Sequence, residues 1–375
     1  MTHVRNASYN KAFNRREILK NLRREPLSRA ELSRKTGLTR AAISILTDEL
    51  LAEGVIRESE LRADPAVGRA PVLLTVVPER YYGVGVSVER ERVEIGVSDF
   101  SGAIVKRRAC KLKSTAEQTL IAAAKVAQAL LHALSVPADR VLGVGVSAPG
   151  PLNDHTGVIL SPPSFPGWQN VPVCDILRRE TGLRTMLDND ANAMALYRYL
   201  QGASGSENFL FLLVDSGVGS GIVVGGRLLR AGEGFTTELG HTSIHYRGPR
   251  CACGGRGCLE CYASIPAILA RHPQFESWQA LMRSDACDTA VRQEAEYLLT
   301  GVRNLRRIVS VDTLLLSGGI AESADRLIAE MERQLRSESA QYPSEPLRIV
   351  ASPRLAGDRI SAAANLVFSD FLGIA

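Results

Sequence analysis

Apolar runs that stop at glycines and hand over to helix-like segments occur twice along this chain, and that repetition constrains the fold more than any other feature. The first set opens at Tyr81 with "YYGVGVSVERERVEIGVSD", two alternating strands joined by a hairpin turn. The helix-like "TAEQTLIAAAKVAQALLHAL" and the buried strand "VLGVGVSAPG" follow. The second set opens with "ENFLFLLVDSGVGSGIVVGGRLL" and continues to "VDTLLLSGGI", a strand running into a Gly turn and a helix. Strand, glycine turn and helix in this order predict two α/β lobes of similar construction, with a ligand cleft between them. At 375 residues the chain is too long for one ordinary core, which agrees. Apolar runs are short and broken by Gly or charge, and the N-terminus carries no signal-like apolar stretch. Membrane insertion and export are therefore not expected, and a cytoplasmic location is.

The N-terminal fifth has a different texture. Residues 1–75 carry 14 Lys or Arg against 9 Asp or Glu, whereas the remaining 300 carry 31 of each, so the whole net charge of +5 lies here. Within residues 1–47 the balance is 11 to 3, a concentrated positive field suited to nucleic acid. A solvated charged face explains such a run equally well, and the helix pattern decides between them. Asn14 with Glu17, and Ser28 with Glu31, have the spacing of reciprocal N-caps. Ile18, Leu19 and Leu22 line a first helix that Pro26 ends. A second helix buries Ala30 and Leu32 and turns at Gly37, and a third repeats Ile43, Leu46 and Leu50 at spacings of three and four. This is helix–turn–helix spacing. It leaves Thr39, Arg40, Ala41, Ser44 and Thr47 facing outward on a recognition helix, with Arg40 placed to pair with guanine. "VIRESE" and "APVLLTV" flank "LRADPAVGR" as a two-stranded wing, with Gly68 and Arg69 near its tip and Arg69 a phosphate or minor-groove contact. Residues 1–75 thus predict a winged helix–turn–helix (α+β) domain on DNA.

"HTSIHYRGPRCACGGRGCLECY", residues 241–262, holds four of the seven cysteines. The other three (Cys110, Cys174, Cys287) are scattered singly and read as buried thiols, not as a disulfide framework. Cys251, Cys253 and Cys258 form a tight thiolate loop suited to tetrahedral zinc, and the spacing leaves the fourth ligand open between Cys261 and a histidine.

Taken together, "SAPGPL", "FPGWQNVP", "LDNDANA", "GVGSGIVVGGRLLRAGEGFTTELGH", "CACGGRGCLE" and "LSGGI" resemble the ROK family of sugar kinases and sugar-responsive repressors, in the family's order and over about residues 80–370. The resemblance implies a two-lobed actin-like (ribonuclease H-like) α/β module over 76–375. Lobe 1 would span about 80–187 plus a C-terminal helix at about 356–375, and lobe 2 about 188–355. It also implies a structural Zn²⁺ on His241, Cys251, Cys253 and Cys258, whose four protein ligands leave no place for an activated water. Sugar contacts are implied at Asn189, Asp190, Glu238, His241 and Glu260, where convergent polar groups suit a polyol.

In the family's kinases the Asp at position 190 is the general base. Here it is expected to be vestigial, with no catalytic residue and no enzyme activity, because the phosphate loops depart from the family's pattern. "VGVSVER" stands where the kinases carry Asp-x-Gly-Gly-Thr, with Gly85 about where the Asp belongs, Val88 crowding the backbone and Glu89 adding like charge. Asp215 stands where the second loop carries Gly. Ser164 replaces an Asn of the sugar pocket. A winged helix–turn–helix ahead of this module is the layout of the family's xylose and N-acetylglucosamine repressors. A homodimer or homotetramer on a palindromic operator, switched by a sugar or sugar derivative, is therefore expected; an active kinase carrying a DNA-binding domain is the alternative.

Overall fold

The computed structural model describes residues 7–59, 72–162, 165–284, 287–337 and 346–374. The chain opens with α1 (Ala7–Arg24), β1 (Leu27–Ser28), α2 (Arg29–Thr36), α3 (Arg40–Ala52), β2 (Ile56–Glu58) and β3 (Leu73–Val76). Ser28 and Glu31 form the reciprocal cap at the start of α2, and Gly37 ends that helix with φ 72°, a left-handed conformation glycine adopts without cost. Ile18, Leu22, Leu32, Ile43 and Leu50 are buried together against the β1–β3–β2 sheet.

Three details differ from the sequence reading. Asn14 lies inside α1, which begins at least as early as Ala7. Ala30 is exposed. Thr47 is buried, because its Oγ1 donates to the Ile43 carbonyl at 2.8 Å and accepts from Arg29 Nε at 3.1 Å. Gly68, Arg69 and Ser164 lie outside the described residues.

Next come β4 (Tyr82–Val88), β5 (Arg92–Asp99), β6 (Ile104–Lys111), α4 (Ala116–Ala133), β7 (Val141–Ala148), β8 (Leu152–Asn153), β9 (Val158–Ile159), α5 (Val173–Thr181), β10 (Thr185–Asn189) and α6 (Asp190–Leu200). They are followed by β11 (Phe209–Val214), β12 (Val218–Val224), β13 (Arg227–Leu228), α7 (Glu260–Ala263), α8 (Ile265–Arg271), α9 (Trp278–Met282) and α10 (Cys287–Arg306). The chain closes with β14 (Thr313–Ser317), α11 (Asp325–Ser337), β15 (Arg348–Ala351) and α12 (Asp358–Phe371).

The sheets repeat one plan. In β10–β7–β4–β5–β6, an antiparallel β4–β5–β6 meander is extended by parallel β7 and β10. In β13–β12–β11–β14–β15, the antiparallel β11–β12–β13 meander is extended by parallel β14 and β15.

Helices α6 and α12 pack on each other between these sheets, and glycines let them approach. Gly96, Gly85 and Gly145 lie side by side across β5, β4 and β7. A Cβ at Gly85 would lie 2.2 Å from the Ile360 carbonyl oxygen, and one at Gly145 would lie 1.9 Å from that of Ala363. Gly221 of β12 does the same for α6, since a Cβ there would lie 2.7 Å from the Ala191 carbonyl oxygen.

One core residue carries a pH prediction. Glu294 of α10 is completely buried, both carboxyl oxygens lack a hydrogen-bond partner, and Arg271 approaches only to 3.6 Å. Burial raises its pKa well above the ordinary carboxylate range, against the lowering influence of Arg271. The unfolded chain therefore loses this proton at a lower pH than the folded one, so stability falls as pH rises from the unfolded value through the folded value. Glu294→Gln is expected to flatten that fall and to gain on the parent protein with rising pH, read as urea midpoints at successive pH values.

Candidate functional site

The turn from β10 into α6 is held from several sides. Asn189 caps α6, its Oδ1 accepting from Asn192 N–H at 2.7 Å. Buried Asp188 accepts from Asn189 N–H, from Asn192 Nδ2 and from Arg230 Nη2, each at 2.8 Å. Arg230 also pairs with Asp154. Asp190, one position further, is partly buried, and its Oδ1 accepts from Ala191 N–H at 2.9 Å. Burial pushes its carboxyl pKa up, while Arg359 and Arg354 pull it down.

Two more carboxylates face the same place. Glu238 is open to the cleft and accepts from Thr236 Oγ1 at 3.0 Å. Its pKa is raised, first by loss of hydration and further by the like charges of Asp190 and Glu260; Thr236 and His241 act the other way. Glu260, at the start of α7, accepts from Val218 N–H at 2.9 Å, and a Cβ at Gly217 would meet its Oε2 at 2.6 Å. The glycine hairpin between β11 and β12 thus seats Glu260. Asp190, His241 and Glu260 all lie close enough to Glu238 to act on its charge, and Asn189 adjoins Asp190 as the cap of α6. Trp168 packs into the core against Phe165, 3 % exposed.

His241, Cys251, Cys253 and Cys258 bring four ligand atoms within 4.8 Å of one another. Cys253 Sγ lies 3.7 Å from Cys258 Sγ, and Cys251 Sγ lies 3.5 Å from His241 Nδ1. Thiolates about 2.3 Å from a tetrahedral zinc stand about 3.8 Å apart, so the donor set and its spacing fit that ion. With Nδ1 turned to the sulfurs, Nε2 of His241 is the nitrogen left for a second partner. Cys261 is outside the cluster, its Sγ 4.0 Å from the Arg250 carbonyl oxygen, and His245 contacts Tyr262 Oη at 3.3 Å on the surface. Of the three scattered cysteines, Cys174 and Cys287 are buried and Cys110 is only partly so.

Around Asp190 the space is filled by cations that the sequence reading missed. Arg359, at the start of α12, pairs with Glu89 at 3.2 Å, and Arg354, just before it, pairs with Asp215 at 3.1 Å. The two arginines close a cavity of about 10 Å³ with Asp190, Ser147 and Met194, about the limit for one water. Two expectations change in detail. Gly85 serves the approach of α12, and Val88 points into the lobe core, 4 % exposed, so it does not crowd the loop. Glu89 is neutralised by Arg359 and does not stand as a bare like charge. The signal was available in "SPRLAGDRI", two arginines five apart around a helix start, but nothing in that pattern says which acids they meet.

On α3, Thr39 caps the helix, accepting from Ala42 N–H at 3.2 Å. Arg40 and Ala41 are exposed, Ser44 is partly so, and Ile45 is 62 % exposed on the same helix.

A winged helix ahead of two matching lobes with a carboxylate-lined cleft defines an actin-like regulator or kinase of small polar ligands. The chain belongs to the ROK family, whose profile matches residues 83–367. It is 29 % identical over 361 residues to the xylose repressor of Caldicellulosiruptor bescii, covering 88 % of this chain and 90 % of that one. The crystal structure of a ROK family transcriptional regulator, homologous to the E. coli Mlc protein, superposes with a TM-score of 0.74 at 23 % identity, covering 97 % of each chain. The ROK hexokinase of Thermus thermophilus gives 0.64 at 30 % identity, covering 77 % of this chain and 98 % of its own. Among the described residues no helix is long and apolar enough to cross a membrane.

Proposed function

We propose that this chain is a sugar-responsive transcriptional repressor. It would bind a palindromic operator through paired winged helices and a sugar or sugar derivative through Asn189, Asp190, Glu238, His241 and Glu260. One observation carries the reading: the chain matches a repressor over nearly its full length, while Arg354 and Arg359 stand beside Asp190, ion-paired to Asp215 and Glu89. Phosphoryl transfer needs that space for phosphates and Mg²⁺. Thr39, Arg40, Ala41 and Ser44 would meet the major groove, joined by Ile45, whose apolar surface suits a thymine methyl, and Arg69 would extend the contact from the wing. A homodimer or homotetramer supplies the paired half-sites. His241, Cys251, Cys253 and Cys258 would hold a structural Zn²⁺ that keeps Glu238 and Glu260 in place.

Sugar acts only if it binds the DNA-competent and DNA-incompetent states unequally. A thermal-shift panel of sugars on the full chain identifies the effector, since a ligand of the native state raises the melting temperature. That sugar is then expected to release operator DNA. Asp190→Asn removes a charged hydrogen-bond acceptor worth about 1.5–3 kcal/mol, so sugar affinity is expected to fall at least about tenfold with operator affinity retained. Retained Asp190 also fits a working kinase, and turnover of ATP and sugar at enzyme-like rates would overturn the repressor reading.

A further inference from the structure

A larger cavity lies on the other side of the two cleft arginines, at the edge of the first sheet, with a volume of about 550 Å³. Arg92, Arg107, Arg108, Arg354 and Arg359 line it against Glu89 and Glu94, so its walls carry net positive charge. Three of these arginines already have acids: Arg92 meets Glu94 at 2.7 Å, Arg354 meets Asp215 and Arg359 meets Glu89. Two features remain unanswered. Arg107 has no ion-pair partner among the described residues, and its Nη1 stands where a Cβ on Gly357 would lie 3.1 Å away. Arg354 Nη1 is buried with no hydrogen-bond partner, a state that native proteins rarely leave unexplained.

The cavity floor adds to this. Gly357 stands at the N-cap of α12 with φ 94° and no side-chain cap. The Asp358 amide is taken by the Leu355 carbonyl at 3.1 Å and the Asp358 carboxylate pairs with Arg198 at 2.7 Å, so the helix start adds only its dipole and the arginines carry the site. The guanidinium forks of Arg107, Arg354 and Arg359 that line the cavity match the oxygens of a tetrahedral dianion.

We propose that this cavity binds the phosphoryl group of a small phosphorylated metabolite, or free inorganic phosphate. An anion there would compete with Glu89 and Asp215 for Arg359 and Arg354, the same pair that faces Asp190. Its occupancy would therefore be felt in the cleft, and the site itself stands whether or not the cleft takes sugar.

The test is calorimetric titration of the full chain with inorganic phosphate, glucose 6-phosphate and glucose at matched ionic strength, repeated on Arg107→Ala and Arg92→Ala. Both residues are exposed, Arg107 on the edge strand β6 and Arg92 at the start of β5, and unchanged unfolding midpoints in phosphate-free buffer would show that the variants fold. Phosphate and glucose 6-phosphate are expected to bind, with affinity lowered at least about tenfold in Arg107→Ala and less in Arg92→Ala, whose charge is shared with Glu94. Tighter binding of glucose 6-phosphate than of phosphate identifies a phosphorylated metabolite as the ligand; equal affinity identifies free phosphate. No phosphate binding below about 10 mM, or equal affinity in parent and both variants, overturns the proposal.

Discussion

A Cys258→Ser protein is expected to bind zinc on the order of a hundredfold more weakly, or worse, and to lose sugar binding with it. Removing groups that merely support a metal ligand costs 10- to 100-fold in affinity, so removing a ligand costs at least that. Cys258 is 1 % exposed, and its neighbour Leu259 is fully buried in the second lobe's core. The strand-like segment beside it is tied to the loop that carries the histidine, with Leu259 N–H donating to the Thr242 carbonyl at 3.0 Å and Ile244 N–H to that of Gly257 at 2.8 Å. Loss of the ion would thus free His241 on one side and Glu260 on the other, and Glu238 stands just before the histidine. Cys261→Ser is the matched control. Its sulfur is outside the cluster, so metal content and melting temperature are expected to stay as in the parent. Metal analysis by atomic absorption, with melting curves before and after chelation, checks both variants; zinc loss in Cys261→Ser with retention in Cys258→Ser would reverse the ligand assignment.

The parts legible in the sequence are those whose physics is local. The Ser28–Glu31 cap, the Gly37 turn and the Ile43–Leu46–Leu50 stripe are all set by neighbours within a few positions, and each stands in the structure. The cysteine loop belongs to the same class, because a short chain with glycines at 254, 255 and 257 has few ways to place three thiols. Thr47 was misread for a tertiary reason: the partner that draws it inward, Arg29, sits on the preceding helix. The functional core shows the limit most clearly. "DND" announces a helix start and two polar groups, whereas the role of Asp188 depends on Arg230, 42 positions away. The pairing of Arg354 with Asp215 and of Arg359 with Glu89 spans still greater distances. Likewise, the glycines of β4, β5 and β7 stand inside strand-like runs in one dimension and become a packing surface only when α12 lies across them.

Replacing Arg23 and Arg24 together by methionine is expected to leave sugar binding within about threefold and to collapse the sugar's effect on operator affinity, an effect that in such switches amounts to roughly 5- to 150-fold. The reason lies in where α6 and α12 begin and end. Helix α6 starts at Asp190 and, about 14 Å along its axis, reaches Tyr199. There the carbonyl accepts from Arg24 Nη2 at 3.0 Å, and the ring lies 4.5 Å from the Arg24 guanidinium and 5.9 Å from Lys20 Nζ. Helix α12 starts beside Arg359 and carries Asn365, which accepts from Arg23 Nη2, and Phe368, whose ring lies 4.6 Å from the Arg23 guanidinium. Burial lowers the Arg23 pKa, and its Nε and Nη1 lack partners, so this contact is held in place by its surroundings and is sensitive to small shifts. Both cleft helices therefore end on α1 of the winged helix, and a sugar that alters the packing of α6 against α12 must alter the seat of α1. Methionine keeps the apolar contact with the rings while removing the hydrogen bonds and charge, so the domains should stay docked. Sugar titration followed by calorimetry, paired with operator binding by fluorescence anisotropy with and without sugar, separates binding from transmission. If the double variant still releases operator with the parent's sugar dependence, the signal does not pass through α1.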